Sequence, residues 1–173
     1  MCRPGEWRSD QSQVSATDMT ILPDWAPNLH PLVVHFPIAW LIAALVVDLV
    51  SLVLPRATWA ETTATCLYPA GAVSALAAYL SGRQAAAAVL VPGMAQAILV
   101  DHWNWALTTT IYFTVVATVR FAVRVSGLRP PFWTRAGVVA AGFAGMLLLF
   151  HTGEQGARLV YEHGVGVVPR THR

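Results

Sequence analysis

The sequence predicts an all-α integral membrane protein, a four-helix bundle with a short interfacial lid segment between its second and third spans. Three observations lead there. Hydrophobic side chains make up 55% of the 173 residues and charged ones only 12%, about half the share of a soluble domain. So little polar surface cannot face water, which excludes most soluble classes. Four apolar runs approach the roughly 20 residues that a helix needs to cross a bilayer core. Gly, Pro and Arg punctuate their ends, as chain reversals require.

The first 27 residues carry Arg3, Glu6, Arg8, Asp10, Asp18 and Asp24 without an apolar core, so they read as a polar tail and not as a signal peptide. The first span is expected from about Leu32 to Leu54, stopping at Pro55-Arg56, and the second from about Thr63 to Leu80, with Pro69 kinking it. The third runs from about Trp105 to Val123. The fourth, Gly137 to Phe150, is short, so its helix should continue through His151. Between the second and third spans, Gln84 to Val100 is Ala-rich and broken by Pro92-Gly93, which suits an interfacial lid better than a fifth span. The resulting organisation is a polar outer tail (1–27), a four-span bundle (28–152) and a glycine-rich outer loop and tail (153–173).

Sidedness follows from the arginines, the only basic side chains besides histidine. Arg56, Arg120, Arg124, Arg129 and Arg135 stand at the two short reversals against a single acid, Glu61. The positive-inside rule puts these reversals in the cytoplasm and both termini on the outer side, a periplasm if the cell has one. Trp25, Trp40, Trp59, Trp103, Trp105 and Trp133 flank the spans as interfacial belts do. A net charge of only +2 leaves no basic face for nucleic acid. Cys2 and Cys66 lack the paired spacing of zinc or haem c sites.

This topology gathers histidines. His30 and His35 open the first span, His102 opens the third and His151 closes the fourth, so all four belong at one depth near the outer interface. His30, beside Pro31, reads as a quiet structural group, and His163 and His172 read as solvated. Bis-histidine ligation of a b-type haem needs two imidazoles on facing helices, and His35, His102 and His151 are the candidates. A structural or proton-handling polar cluster fits the same residues. A transition-metal site on those three histidines, with oxygen ligands from Asp101, Glu154 or Glu162, is a third possibility without a compact motif behind it. Arg158, in the glycine-rich segment, could meet a haem propionate or an acidic partner.

Three lesser features complete the pattern. Asp48, deep in the first span, should be paired, with Arg56 as the nearest candidate. Gly137, Ala141 and Gly145 form a small-residue stripe suited to close helix contact. No hydrolytic constellation and no phosphate-binding loop appears, so an electron-transfer or accessory subunit is favoured over a stand-alone enzyme.

The run Asn28-Leu29-His30-Pro31-Leu32-Val33-Val34-His35-Phe36-Pro37-Ile38-Ala39, the Asp101-His102-Trp103-Asn104 opening of the third span, and the ending Leu159-Val160-Tyr161 with His163-Gly164-Val165-Gly166-Val167 resemble an uncharacterised family of small bacterial four-helix membrane proteins. The resemblance covers about residues 28 to 168. Related domains occur beside c-type cytochrome domains, which implies membrane electron transfer, with quinone and a c-type cytochrome or larger complex as partners. It also adds His163 to His30, His35 and His102 as positions of interest. Gly153-Glu154-Gln155-Gly156 departs from the paired glycines that precede Leu-Val-Tyr in related chains.

Overall fold

The computed structural model describes residues 28–128 and 130–167. The N-terminal tail, Arg129 and His172 lie outside the described residues. The first span is a short helix α1 (His30–Val33), with Pro31 in its first turn, continued after Val34 by α2 (His35–Val53). Then come α3 (Thr58–Ala88), a 3-10 turn (Gly93–Ala95), α4 (Gln96–Val125) and α5 (Phe132–Tyr161). Prolines sit at each reversal: Leu54, before Pro55, has left helical geometry, and Pro92 and Pro131 are the residues from which the next elements start.

All four spans are apolar and long enough to cross a bilayer, and α3, α4 and α5 contain 31, 30 and 30 residues. At 1.5 Å per residue each is about 45 Å long, so they outrun the roughly 30 Å hydrocarbon core and reach into the interfaces. Successive helices pack antiparallel, and α5 closes back on α2.

One stripe on each helix faces inward, and on α2 and α3 its spacing of alternating fours and threes is that of left-handed bundle packing. Pro37, Leu41, Ala44, Asp48 and Ser51 form it on α2, and Ala64, Tyr68, Gly71, Ala75 and Ala78 on α3. Leu99, Thr109, Phe113 and Ala117 form it on α4, and Gly142, Gly145 and Leu159 on α5. Glycine is required where α5 meets bulky neighbours. A Cβ on Gly145 would lie 2.5 Å from Phe113 Cζ, and one on Gly142 would lie 2.6 Å from Tyr68 Oη. Small residues let backbones approach where lipid gives no hydrophobic drive to association.

The structure revises several expectations. Gln84 to Val100 is not a separate lid: it finishes α3, turns through the 3-10 segment and begins α4. The covering it was expected to provide comes from the hairpin itself, where Ala95 and Leu99 pack with Leu159 of α5 beyond the level of His102. The fourth helix does continue through His151, but it runs on to Tyr161, so Gly153 and Gly156 are helical and not part of a loop. The closing His163-Gly164-Val165 stretch terminates that helix. Gly164 takes φ +64° and Val165 N–H donates to the Leu159 carbonyl at 2.9 Å, seating Val165 against the same apolar group. α3 passes through Pro69 as one helix. Of the expected small-residue stripe, Gly145 is a close contact, whereas Gly137 is exposed with open space around it.

Candidate functional site

Polar groups inside the bundle collect at its two ends. At the end carrying the α2–α3 and α4–α5 reversals, Asp48 is 3% exposed and pairs with Arg120, not with Arg56. The guanidinium grips both carboxylate oxygens, at 2.7 Å and 2.9 Å. Ser51 Oγ donates to the Asp48 carbonyl at 2.7 Å, Arg135 donates to the Ser51 carbonyl, and the Arg120 guanidinium carbon lies 5.5 Å from the Tyr68 ring centre. Opposite charges meet here in a two-pronged, charge-assisted contact, so the Asp48–Arg120 pair is internally neutralised.

The other end is different. His30 of α1 and His102 of α4 line one cavity of about 100 Å³, together with Gly82 of α3 and Thr152 of α5. Each imidazole is anchored through Nδ1. His102 Nδ1 lies 3.0 Å from the Thr152 carbonyl, which can only accept, so Nδ1 carries the proton. His30 Nδ1 lies 3.1 Å from Ser81 Oγ. Ser81 spends its own hydroxyl hydrogen on the Ala78 carbonyl at 3.0 Å, so His30 is again the donor. In the neutral rings the lone pair then resides on Nε2, and neither Nε2 makes a hydrogen bond among the described residues.

Neighbours hold both rings in place. A Cβ on Gly82 would lie 2.9 Å from His30 Cε1, and one on Gly156 would lie 3.1 Å from His102 Cε1, so both glycines leave the space that the imidazoles fill. Thr152 Oγ1 donates to the Leu148 carbonyl and accepts from Thr109 Oγ1, both at 2.9 Å. Just outside, the Arg83 guanidinium carbon stacks 4.3 Å above the ring centre of Trp103, a cavity-lining residue.

The expected trio of His35, His102 and His151 is not assembled. His35 is exposed, and it lies five residues beyond His30, about 140° around a helix, so the two cannot share a face. His151 is turned away from the cavity: its ring meets Trp105 edge-on at 4.6 Å, and Nδ1 is 3.8 Å from Glu154. Among the described residues no three metal-capable side chains converge, so the metal set of His35, His102 and His151 has no geometry behind it. Arg158 pairs with Glu162 of its own helix, 3.1 Å from both oxygens. His163 is half-buried near Glu162, at 3.9 Å, outside the cavity.

His30, read from sequence as a quiet residue, is thus the partner of His102, and Ser81, Gly82 and Thr152 were not singled out at all. A usable signal existed: His30 stands seven residues before the buried Pro37, on the inward stripe, and His35 does not.

Residues 26–169 match the family described as "Predicted membrane protein (DUF2231)", and the chain belongs to that family. No curated protein and no solved structure matches the chain.

Proposed function

We propose that this DUF2231 membrane protein is a b-type cytochrome-like electron-transfer subunit, in which His30 and His102 would hold the haem. One observation carries the reading: two imidazoles from different helices line one cavity, each held by an Nδ1 hydrogen bond that leaves Nε2 free. Ligating histidines characteristically donate their other ring nitrogen in this way, which fixes tautomer and orientation. Haem b bound between them would supply one-electron chemistry. Arg83, braced on Trp103 at the cavity wall, takes the propionate-binding role first given to Arg158, which is engaged with Glu162. The arginines at the reversals support a bacterial inner-membrane location with both termini and the histidine end on the periplasmic side. Electrons would there pass between the quinone pool and a c-type cytochrome or larger complex.

A second reading, a non-enzymatic accessory subunit, is favoured by the size of the cavity. About 100 Å³ holds a few water molecules, whereas ligand pockets span about 300–1,000 Å³, so a porphyrin needs the helix ends to part. In that reading the imidazoles tie α1 to α3 and α4 to α5.

A reduced-minus-oxidised absorption spectrum of the purified protein separates the two. Haem ligation gives a b-type band that His30→Ala and His102→Ala each abolish and His35→Ala and His151→Ala retain. A colourless protein overturns the cytochrome reading and leaves the accessory one.

A further inference from the structure

The bundle has a second concavity, unconnected with the histidines. α3 and α4 part in the half nearer the reversals and leave an open groove of about 470 Å³ between Pro69, Val73 and Leu76 on one side and Thr114, Thr118 and Phe121 on the other. Its floor is small, formed by Ala72 and Ala117. Its hydroxyls are already spent, because Thr114 and Thr118 donate to the carbonyls of Thr110 and Thr114, each at 2.7 Å. An occupant therefore gains nothing from carrying polar groups into the groove.

The mouth is different. Arg124 lies seven residues beyond Ala117, about 10 Å along α4 and only about 20° around it, so it continues the floor of the groove toward the interface. It is exposed and makes no ion pair among the described residues, unlike Arg120 one turn earlier. About 10 Å further toward the interface, the exposed Trp59 stands fourteen residues, about 21 Å, before Val73 and nearly on the same line of α3. An apolar trough ending in an unpaired guanidinium and an interfacial indole has the form of one phospholipid: chain below, phosphate above.

We propose that the α3–α4 groove seats one acyl chain of an anionic phospholipid whose phosphate is held by Arg124. A second copy of the chain suits the groove less well. Copies in one membrane share an orientation, so a two-fold axis along the bilayer normal would bring both Arg124 side chains together at one depth.

Native mass spectrometry of delipidated protein, titrated with phosphatidylglycerol or phosphatidylcholine of matched chains, tests this. The wild type should take up one phosphatidylglycerol about fivefold more tightly than phosphatidylcholine, the effect of one basic residue near a charged surface. Arg124→Gln should erase that preference and Arg124→Lys should keep it. Thr118→Phe, which fills the groove from an exposed position, should remove the single-lipid adduct of both lipids. Equal binding by the wild type, a preference that survives Arg124→Gln, or a protein dimer that Thr118→Phe dissociates would each overturn the proposal. The two arginine variants alter only an exposed side chain and decide the matter even if the phenylalanine variant misfolds.

Discussion

Replacing Arg120 with leucine isolates the ion pair that fixes the reversal end of the bundle. The substitution removes contacts of 2.7 Å and 2.9 Å and leaves the nearly inaccessible Asp48 carboxylate with only Ser51 Oγ, 3.5 Å from one oxygen. Breaking a buried pair from one side costs about 3–5 kcal/mol, and the lost stacking on Tyr68 adds about 0.5–1 kcal/mol. An ordinary interhelical hydrogen bond in a membrane averages only about 0.6 kcal/mol, so the ion pair should be plainly distinguishable. Asp48→Leu should cost less, about 2 kcal/mol, because Arg120 stands five residues from the end of α4 and its long side chain can reach the interface. The double variant, with two apolar side chains facing each other, should lie near the wild type, giving a coupling energy of several kcal/mol. Equilibrium unfolding in mixed micelles followed by helical circular dichroism measures all three, with Arg56→Gln as a control that should change nothing. Single variants within about 0.6 kcal/mol of wild type, or a double variant equal to the sum of the singles, would refute the assignment.

Three further outcomes rest on glycines. Gly142→Ala places a methyl 2.6 Å from Tyr68 Oη and 2.9 Å from Leu45 Cδ1 and should destabilise by about 1–3 kcal/mol. Gly137→Ala, made in open space on the same helix, should be neutral or stabilise by up to about 1 kcal/mol in the same unfolding measurement. Gly82→Ala presses on the His30 ring from 2.9 Å and should shift the His30 imidazole resonances in NMR spectra while leaving those of His35 in place.

Four spans, their order and the end at which each histidine belongs were legible because length, apolarity and reversal chemistry are properties of the chain taken alone. Which histidine faces which was a question of helical phase, and hydropathy carries little phase information when every face of a helix is apolar. The phase is instead written in small and polar residues. On α5 the inward positions Gly142, Gly145, Leu149, Thr152 and Gly156 step by threes and fours, and His151 falls between them. On α4 the same stepping joins Leu99, His102, Thr109, Phe113, Ala117 and Arg120, so His102 and Arg120 lie on one line. The choice of Arg120 over Arg56 for Asp48 was not legible, since it depends on Arg120 reaching from α4 across the bundle to α2, which packs on α3 and α5. The helical run from Gly153 to Tyr161 was hidden by its glycines, which favour loops in water but serve close contact here, as Gly156 does against His102.

The two polar ends of the bundle therefore differ in kind. Inside a membrane an ionisable side chain must be satisfied by the protein, and Asp48 with Arg120 meets most of that demand, each group answering the other's charge, while Arg120 Nε and the neighbouring Tyr68 hydroxyl stay buried without a partner among the described residues. Such a pair can act as a clamp. His30 and His102 are arranged otherwise: one nitrogen of each is fixed by a backbone carbonyl or a committed serine, and the second is left open beside a cavity. The open nitrogens face a cavity near the outer interface, where water or a ligand can reach them. In the cytochrome reading a metal centre would be held between them, and in the accessory reading water fills the space. The histidine end, with open imidazole nitrogens beside a cavity, is therefore where a ligand is to be sought.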